Sequence, residues 1–375
     1  MSDVAYVRAI SEPDMPAPLF SRGALAWMRA NLFSSIPSSL LTLTMLALAV
    51  WLLPPLIAWA TWKAIWVAPE GALCRAHQDG ACWAFIAQKI NYLLYGSYPI
   101  AERWRVDVTE AIGAVLIVWL LWAGAPRRDI GAWLFFVGYP IAAFVLLCGW
   151  ASLGLPPVDT LLWGGVFVSL VTALVGIVFS LPLGVGLALG RRSHLPVVRL
   201  SSVIFIEFVR GVPFITVLFM ANNMLPLFLP PGWEPDRFLR PLVGMALFSA
   251  AYMAEEVRGG LQSLNNGQYE GAMALGLNYS RMMRLVVLPQ ALVLVIPGLV
   301  NNFIGLFKDT TLVAIVGVND FLAAMDNAFK DTVWAGPTIP PTGYAFAALF
   351  YFVFCYAMSR YSADMERRLS AGRRR

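Results

Sequence analysis

Between residues 40 and 59 the chain carries no charged side chain, and comparable apolar runs recur almost to its end. A run of that length is the size of a helix that spans a bilayer, where every backbone N–H and C=O must be bonded within its own segment. Further runs at 110–123, 131–150 and about 162–189, 201–221, 240–257, 290–307 and 343–360 bring the expected spans to eight. Pro54 and Pro55 inside the first run do not exclude it, because neighbouring groups satisfy the carbonyls they free. Hydrophobic residues make up 59% of the 375 and charged residues 13%, more apolar surface than a soluble domain needs. The fold class expected is an all-α integral membrane protein.

The formal net charge is +5, but the Arg residues gather at the ends of apolar runs, which reads as membrane orientation and not as a nucleic-acid surface. With the N-terminus inside, cytoplasmic segments hold 17 of the 27 Lys and Arg and outer loops hold nine. Both termini are therefore expected in the cytoplasm. Residues 61–109 become an outer loop whose Trp and Tyr suit the interface. Residues 1–18, with Pro13, Pro16 and Pro18, read as disordered. The stretch 19–32 fits an interfacial helix or a plain linker equally. No small-residue cleavage pattern follows the first run, which reads as a permanent anchor.

One cytoplasmic stretch, 265–289, breaks the pattern. Asn265-Asn266-Gly267 is a turn signal that can cap a helix. Glu270 is expected in that helix's first turn, where a carboxylate suits the dipole. Tyr269, Ala272, Met273 and Gly276 share a face, and Gly276 stands where a left-handed C-cap is expected, with Leu277 closing back. Arg281 and Arg284 open a second helix, and Pro289 marks the next boundary. The short helix is a knob suited to a groove on a soluble partner.

The pattern E-G-A, three residues, Gly, nine residues, V-x-L-P runs through Glu270, Ala272, Gly276, Val286, Leu288 and Pro289. It resembles the EAA loop of ABC importer permeases, with Gly271 where that family usually has Ala and Val286 for its usual Ile. Together with E-F-V-R-G-V-P at 207–213 and F-K-D-T-T-L-V at 307–313, it makes 163–369 similar to the polar amino acid subfamily. The three extra N-terminal spans look like those of the extended permeases in general L-amino acid importers of Gram-negative bacteria. The resemblance implies a division into a cytoplasmic segment 1–39 and a three-span extension 40–158. A five-helix type I permease core follows at 159–369, with its EAA loop at 259–289, and then a basic tail 370–375.

It further implies a multi-pass inner-membrane subunit that does no catalysis and holds no cofactor, ATP being bound by partners. Those partners are a cytoplasmic ABC ATPase dimer, a second homologous permease forming a heterodimer, and a periplasmic binding protein that delivers an L-amino acid. Glu270, Gly271, Ala272, Met273, Ala274, Leu275 and Gly276 would form the helix that couples to the ATPase. An ion-gradient-driven secondary amino acid transporter is the alternative; it would account for intramembrane charges but not for this loop.

Other candidate residues lie in the apolar runs. Glu207 and Arg210, three apart on one helix, face the same side. Gly211 and Pro213 can bend or break that helix beside them. An acid and a base suit the two charges of an amino acid zwitterion; an internal ion pair that only fixes packing fits the residues equally, and the resemblance favours the path. Asp309 and Thr310 end the seventh run and offer a carboxylate and a hydroxyl, or simply a polar helix end. Gly176, Gly184, Gly186 and Gly190 read as close helix packing and not as a dinucleotide loop. No Lys is followed by Ser or Thr, so there is no Walker loop. Cys74 and Cys82 lie in the outer loop, where a disulfide is the leading reading in an oxidising compartment. With His77 they make too weak a set for a metal site, and no catalytic grouping appears.

Overall fold

The computed structural model describes residues 23–122 and 124–373; the stretch 1–18 and the last two residues of the basic tail lie outside them. The described residues are helical throughout, with isolated bridges and no strand. Five segments are long and apolar enough to cross a membrane: Ile36–Ala60, Arg128–Cys148, Val166–Arg191, Tyr279–Val316 and Ile339–Arg368. A bent pair, Pro196–Gly211 with Phe214–Phe228, makes a sixth if it counts as one span.

The chain forms two units. The first covers Met1–Ile65 and Asp79–Ala81. It contains α1 (Ala24–Asn31) and α2 (Ile36–Ala60). The Ser35 hydroxyl caps α2 by accepting from the Ser38 N–H, and Pro37 fits its first turn, where no N–H is needed. Ser38 and Thr42 donate their hydroxyls to the Leu32 carbonyl that α1 leaves free. Ala81 and Ile65 then pair as extended chain beyond α2, Ile65 N–H donating to Ala81 at 2.8 Å.

The second unit covers Trp66–Gln78 and Cys82–Arg375. In order it holds α3 (Ala72–Ala76), α4 (Trp83–Tyr95), α5 (Arg103–Leu121), α6 (Arg128–Cys148), α7 (Val166–Arg191) and α8 (Pro196–Gly211). Then come α9 (Phe214–Phe219), α10 (Leu239–Ser263), α11 (Asn266–Ala274), α12 (Tyr279–Val316), α13 (Phe321–Ala328) and α14 (Ile339–Arg373). Helices α5 and α10, 19 and 25 residues long, occupy two more places where spans are expected. Both carry several charges, Arg105, Asp107 and Glu110 in α5 and Arg240, Glu255, Glu256 and Arg258 in α10, which sets them apart from the five apolar spans. Leu116 of α5 and Phe135 and Tyr139 of α6 cluster with Val178 of α7, so these two helices pack onto the core. Helix α14 continues to Arg373 and takes in most of the tail.

The centre is α7 against α10. Ser169, Ala173, Gly176, Ser180, Gly184 and Ala188 lie three or four residues apart along α7 and are all buried. A stripe of small residues lets helix backbones approach closely in lipid, where apolar burial gives no drive between helices. The approach is tightest at Gly184, where an added Cβ would lie 2.5 Å from the Met253 Cβ. Gly176, Gly184 and Gly190 serve packing as their sequence setting suggests, whereas Gly186 is exposed, with open space where a side chain would be.

Two expectations need correction. The span placed at 201–221 is two helices, α8 and the segment Phe214–Phe228, meeting at 112°. Pro213 disfavours helical backbone at the residue before it, and Val212 is accordingly extended at φ −106° and ψ 138°. The polar outer loop 61–109 is also largely folded. It contains α3 and α4, and α5 already begins at Arg103.

Within the second unit, α3 and α4 form a cap with 320–342. Cys74 and Cys82 are joined as a disulfide. Buried Phe85 of α4 packs against Phe329 and Trp334, each with centroids 6.0 Å away. Arg75 donates to the carbonyls of Val333 and Ala335, and Lys89 pairs with Asp331. The Cys82 N–H donates to the Thr342 hydroxyl at 2.9 Å. Asp320 caps α13 by accepting from the Leu322 and Ala323 N–H groups. Its burial pushes the carboxyl up to about 7, against the pull of those two donors toward the charged form.

Candidate functional site

Helix α11 is shaped by local chemistry at both ends. The Asn265 side chain accepts from the Gly267 N–H at 2.9 Å and opens the helix. At the other end Gly276 has φ +70°, the left-handed conformation that glycine adopts without penalty. The Gly276 N–H donates to Met273 and the Leu277 N–H to Ala272, the paired bonds of a Schellman cap. Asn278 then caps α12 by accepting from the Arg281 N–H. Because α11 starts at Asn266, Glu270 lies beyond the first turn expected for it. Pro289 marks no boundary either: α12 passes through a wide π turn at Met283–Val287 and continues past it.

Only one side of α11 is anchored. Ala272 is 3% exposed and sits in a cluster with Ala188, Ile206, Val257, Leu261, Met282 and Val287, from α7, α8, α10 and α12. Glu270, Gly271, Met273, Ala274, Leu275 and Gly276 are exposed. The apolar Leu275, at 81% exposure, is nearly bare. Tyr269 ties the helix sideways: its hydroxyl donates to the Leu261 carbonyl and accepts from Arg192, whose guanidinium lies 5.5 Å from the ring centroid.

Glu207 and Arg210 do share α8, but they do not pair with each other. Arg191, at the end of α7, reaches Glu207 at 2.8 Å. Glu255 of α10 faces Arg191 at 3.6 Å and Arg210 at 3.7 Å, and also holds Arg258, whose Nε donates to it at 2.9 Å. Two carboxylates and three guanidiniums thus link α7, α8 and α10. Side chains three apart on a helix point the same way, which lets each find a partner on another helix.

Arg210 also lies over the ring of Tyr252, 5.5 Å from its centroid. Tyr252 lines an open cleft of about 250 Å³ with Phe214, Phe248, Ser249, Asn302 and Asp309. Phe214, Phe248 and Tyr252 form a continuous aromatic wall, with centroid separations of 4.7 and 5.0 Å. Asp309 thus opens onto a cavity, whereas Thr310 is fully buried and its hydroxyl donates to the Phe307 carbonyl. Gly211 stands at the break between α8 and α9 with open space where a side chain would be.

Several of these residues were missed. Glu255 and Arg258 lie in A-E-E-V-R, an acid and a base three apart, the same signal that singles out Glu207 and Arg210. Arg191 is legible only as a terminal cation, because its partner comes from the next helix. Among the described residues, no group of three His, Cys, Asp or Glu could hold a metal ion.

Residues 180–371 match the family model described as the binding-protein-dependent transport system inner membrane component. The chain is 49% identical over 366 residues to YhdY, an inner membrane amino-acid ABC transporter permease protein of Escherichia coli (strain K12), covering 97% of this chain and 98% of that one. It is 40% identical over 440 residues to BztC, the glutamate/glutamine/aspartate/asparagine transport system permease protein of Rhodobacter capsulatus, covering 100% of both. Among solved structures, an amino acid ABC transporter crystallised with histidines is similar at 29% identity and a TM-score of 0.48, covering 54% of this chain and 92% of that one.

Proposed function

Because the chain belongs to the binding-protein-dependent transport system inner membrane components and is a multi-pass inner-membrane ABC permease, we propose that it imports L-amino acids and couples to its ATPase through α11. The observation that carries this reading is the position of α11: one buried residue fixes it to four helices, and from Gly271 on its other residues are small or apolar and exposed. An ATPase surface closing on Met273 and Leu275 pushes through Ala272 into α7, α8, α10 and α12. Tyr269 and Arg192 pass the same push to α7. No step of bond chemistry is assigned to this chain, and ATP is bound by the partners.

Substrate arrives on a periplasmic binding protein and crosses between this chain and a second, similar permease, making a heterodimer. The cleft walled by Phe214, Phe248 and Tyr252 is this chain's share of the path. Asp309 offers a carboxylate to the substrate ammonium, and the aromatic faces stabilise a cation further. Arg210 lies over the Tyr252 ring and brings a positive charge to that wall. The amino acids in the name of the Rhodobacter relative, glutamate, glutamine, aspartate and asparagine, are the first substrates to test.

The test is uptake into vesicles holding the reconstituted transporter. Uptake is expected to need internal ATP and external loaded binding protein, and to ignore an uncoupler. Uptake that continues without ATP and collapses with the uncoupler would mean an ion-gradient carrier.

A further inference from the structure

The link between α7 and α8 encloses an open groove of about 830 Å³, lined by Arg191, Arg192, His194, Arg199, Leu200 and Val203. Its three guanidiniums differ in their commitments. Arg191 is held by Glu207 and Arg192 by Tyr269. Arg199 is exposed, with no ion pair or side-chain hydrogen bond to any described residue. No carboxylate lines the groove. The first turn of α8 opens on it and adds the partial positive charge of a helix start.

An apolar track leads away from the groove. Val197, Leu200, Ile204 and Phe208 follow one another at three or four residues along α8, and each is more than half exposed. They form one face of the helix, and Leu200 belongs both to that face and to the groove. A basic pocket that opens onto a bare apolar helix face, at the end of a membrane span, has the two parts needed to hold a phosphate with acyl chains attached. A free phosphate would use only the first part.

We propose that this groove binds the phosphate headgroup of an anionic phospholipid, with Arg199 as its uncommitted ligand and the α8 face as the track for the acyl chains. The bound lipid lies against the Arg192–Tyr269 contact and so steadies the end of α7 on which α11 rests. Placement of this end in the cytoplasmic leaflet rests on the orientation proposed above. The lipid preference itself does not depend on it.

The experiment uses the complete transporter in nanodiscs of phosphatidylcholine containing graded phosphatidylglycerol, with bound lipid read by native mass spectrometry. Nanodiscs expose both leaflets, so a wrong orientation leaves the readout intact, and ATP-driven uptake is scored separately. Phosphatidylglycerol is expected to be retained over phosphatidylcholine. Arg199→Gln should weaken its retention about five-fold, equivalent to about 1 kcal/mol for one basic residue at a membrane surface. Ile204→Ser should weaken it less, and Arg127→Gln, a basic residue outside the groove, should leave it unchanged. Equal retention of the two lipids, or wild-type retention by Arg199→Gln, would overturn the proposal. Displacement of the lipid by inorganic phosphate alone would make this a free-anion site and would overturn it too.

Discussion

The two ends of the second unit are held together in opposite ways. In the cap of α3, α4 and α13, the joined residues are far apart in sequence: Lys89 and Asp331 by 242 positions, Arg75 and Val333 by 258, Cys82 and Thr342 by 260. Around α11 most of the bonds are local, with Tyr269 to Leu261 spanning eight positions and Asn278 to Arg281 three, and the longest, from Arg192 to Tyr269, spans 77. A contact between distant residues closes a long loop and fixes two elements against each other. Local bonds fix the shape of one element and leave it free to move as a piece. One end is therefore built to hold its position, and the other to keep its form, which suits the push proposed for it.

The sharpest way to break this contrast is to remove the charge at which the inner helices meet. Glu255→Ala leaves Arg191, Arg210 and Arg258 without their shared carboxylate. Since Glu255 is about a quarter exposed, the expected cost is about 2 to 3 kcal/mol, below the range for a fully buried pair. Thermal unfolding in detergent and uptake should both fall. Arg210→Ala should cost much less, because Glu207 keeps Arg191 and Glu255 keeps Arg258. If the two variants unfold at the same temperature, the network does not hold the helices as described.

Cys82→Ser tests the outer end. Opening so short a disulfide loop should cost about 2 kcal/mol. Limited proteolysis should find new cuts in the cap while ATPase binding survives. In the wild type, both cysteines should resist thiol labelling until a reductant is added.

Gly276→Val tests the inner end with a smaller cost, about 1 kcal/mol or more of backbone strain at a left-handed position. Nothing lies within 4 Å of the added Cβ, so the core should be undisturbed. Membrane insertion should be normal while binding protein no longer stimulates ATP hydrolysis. Wild-type stimulation together with wild-type uptake would remove Gly276 from the coupling residues.

Lys89→Ala should have the smallest effect, about 0.5 kcal/mol, because it removes a single pair and leaves Asp331 its bond from the Val333 N–H. Lys89 and the Val333 N–H hold the Asp331 carboxyl below its ordinary range. The pair's contribution is therefore present at neutral pH and is lost as pH falls through that lowered value. Cap stability followed against pH should show an acid limb that Lys89→Ala flattens.

The same contrast explains what could be read from the chain beforehand. Asn265 and Gly276 act within a few residues, so the shape of α11 was legible from their types and spacing, while the cap at Asn278, equally local, was passed over. Gly211 and Pro213 announced the break after α8 for the same reason. Helix α13 lacks a long periodic run, and its place depends on Phe85 and Lys89 far upstream, so it went unread. The pairing of Glu207 failed because the competing cation, Arg191, comes from a neighbouring helix, and a rule about spacing within one helix cannot see it. Burial of Thr310 likewise follows from packing, not from its neighbours in sequence.

The π turn at Met283–Val287 has a mechanical consequence. A π turn is an α-helix carrying one surplus residue. If that surplus migrates along α12, the part it passes rotates by about 100° and slides by about 1.5 Å, without the helix coming apart. If α11 takes the push proposed for it, the join to its following span would work like a slip clutch. A thrust too small to move the long helix would then be absorbed as a turn of Arg281 and Arg284, and only a stroke that exhausts this play would drive the span itself.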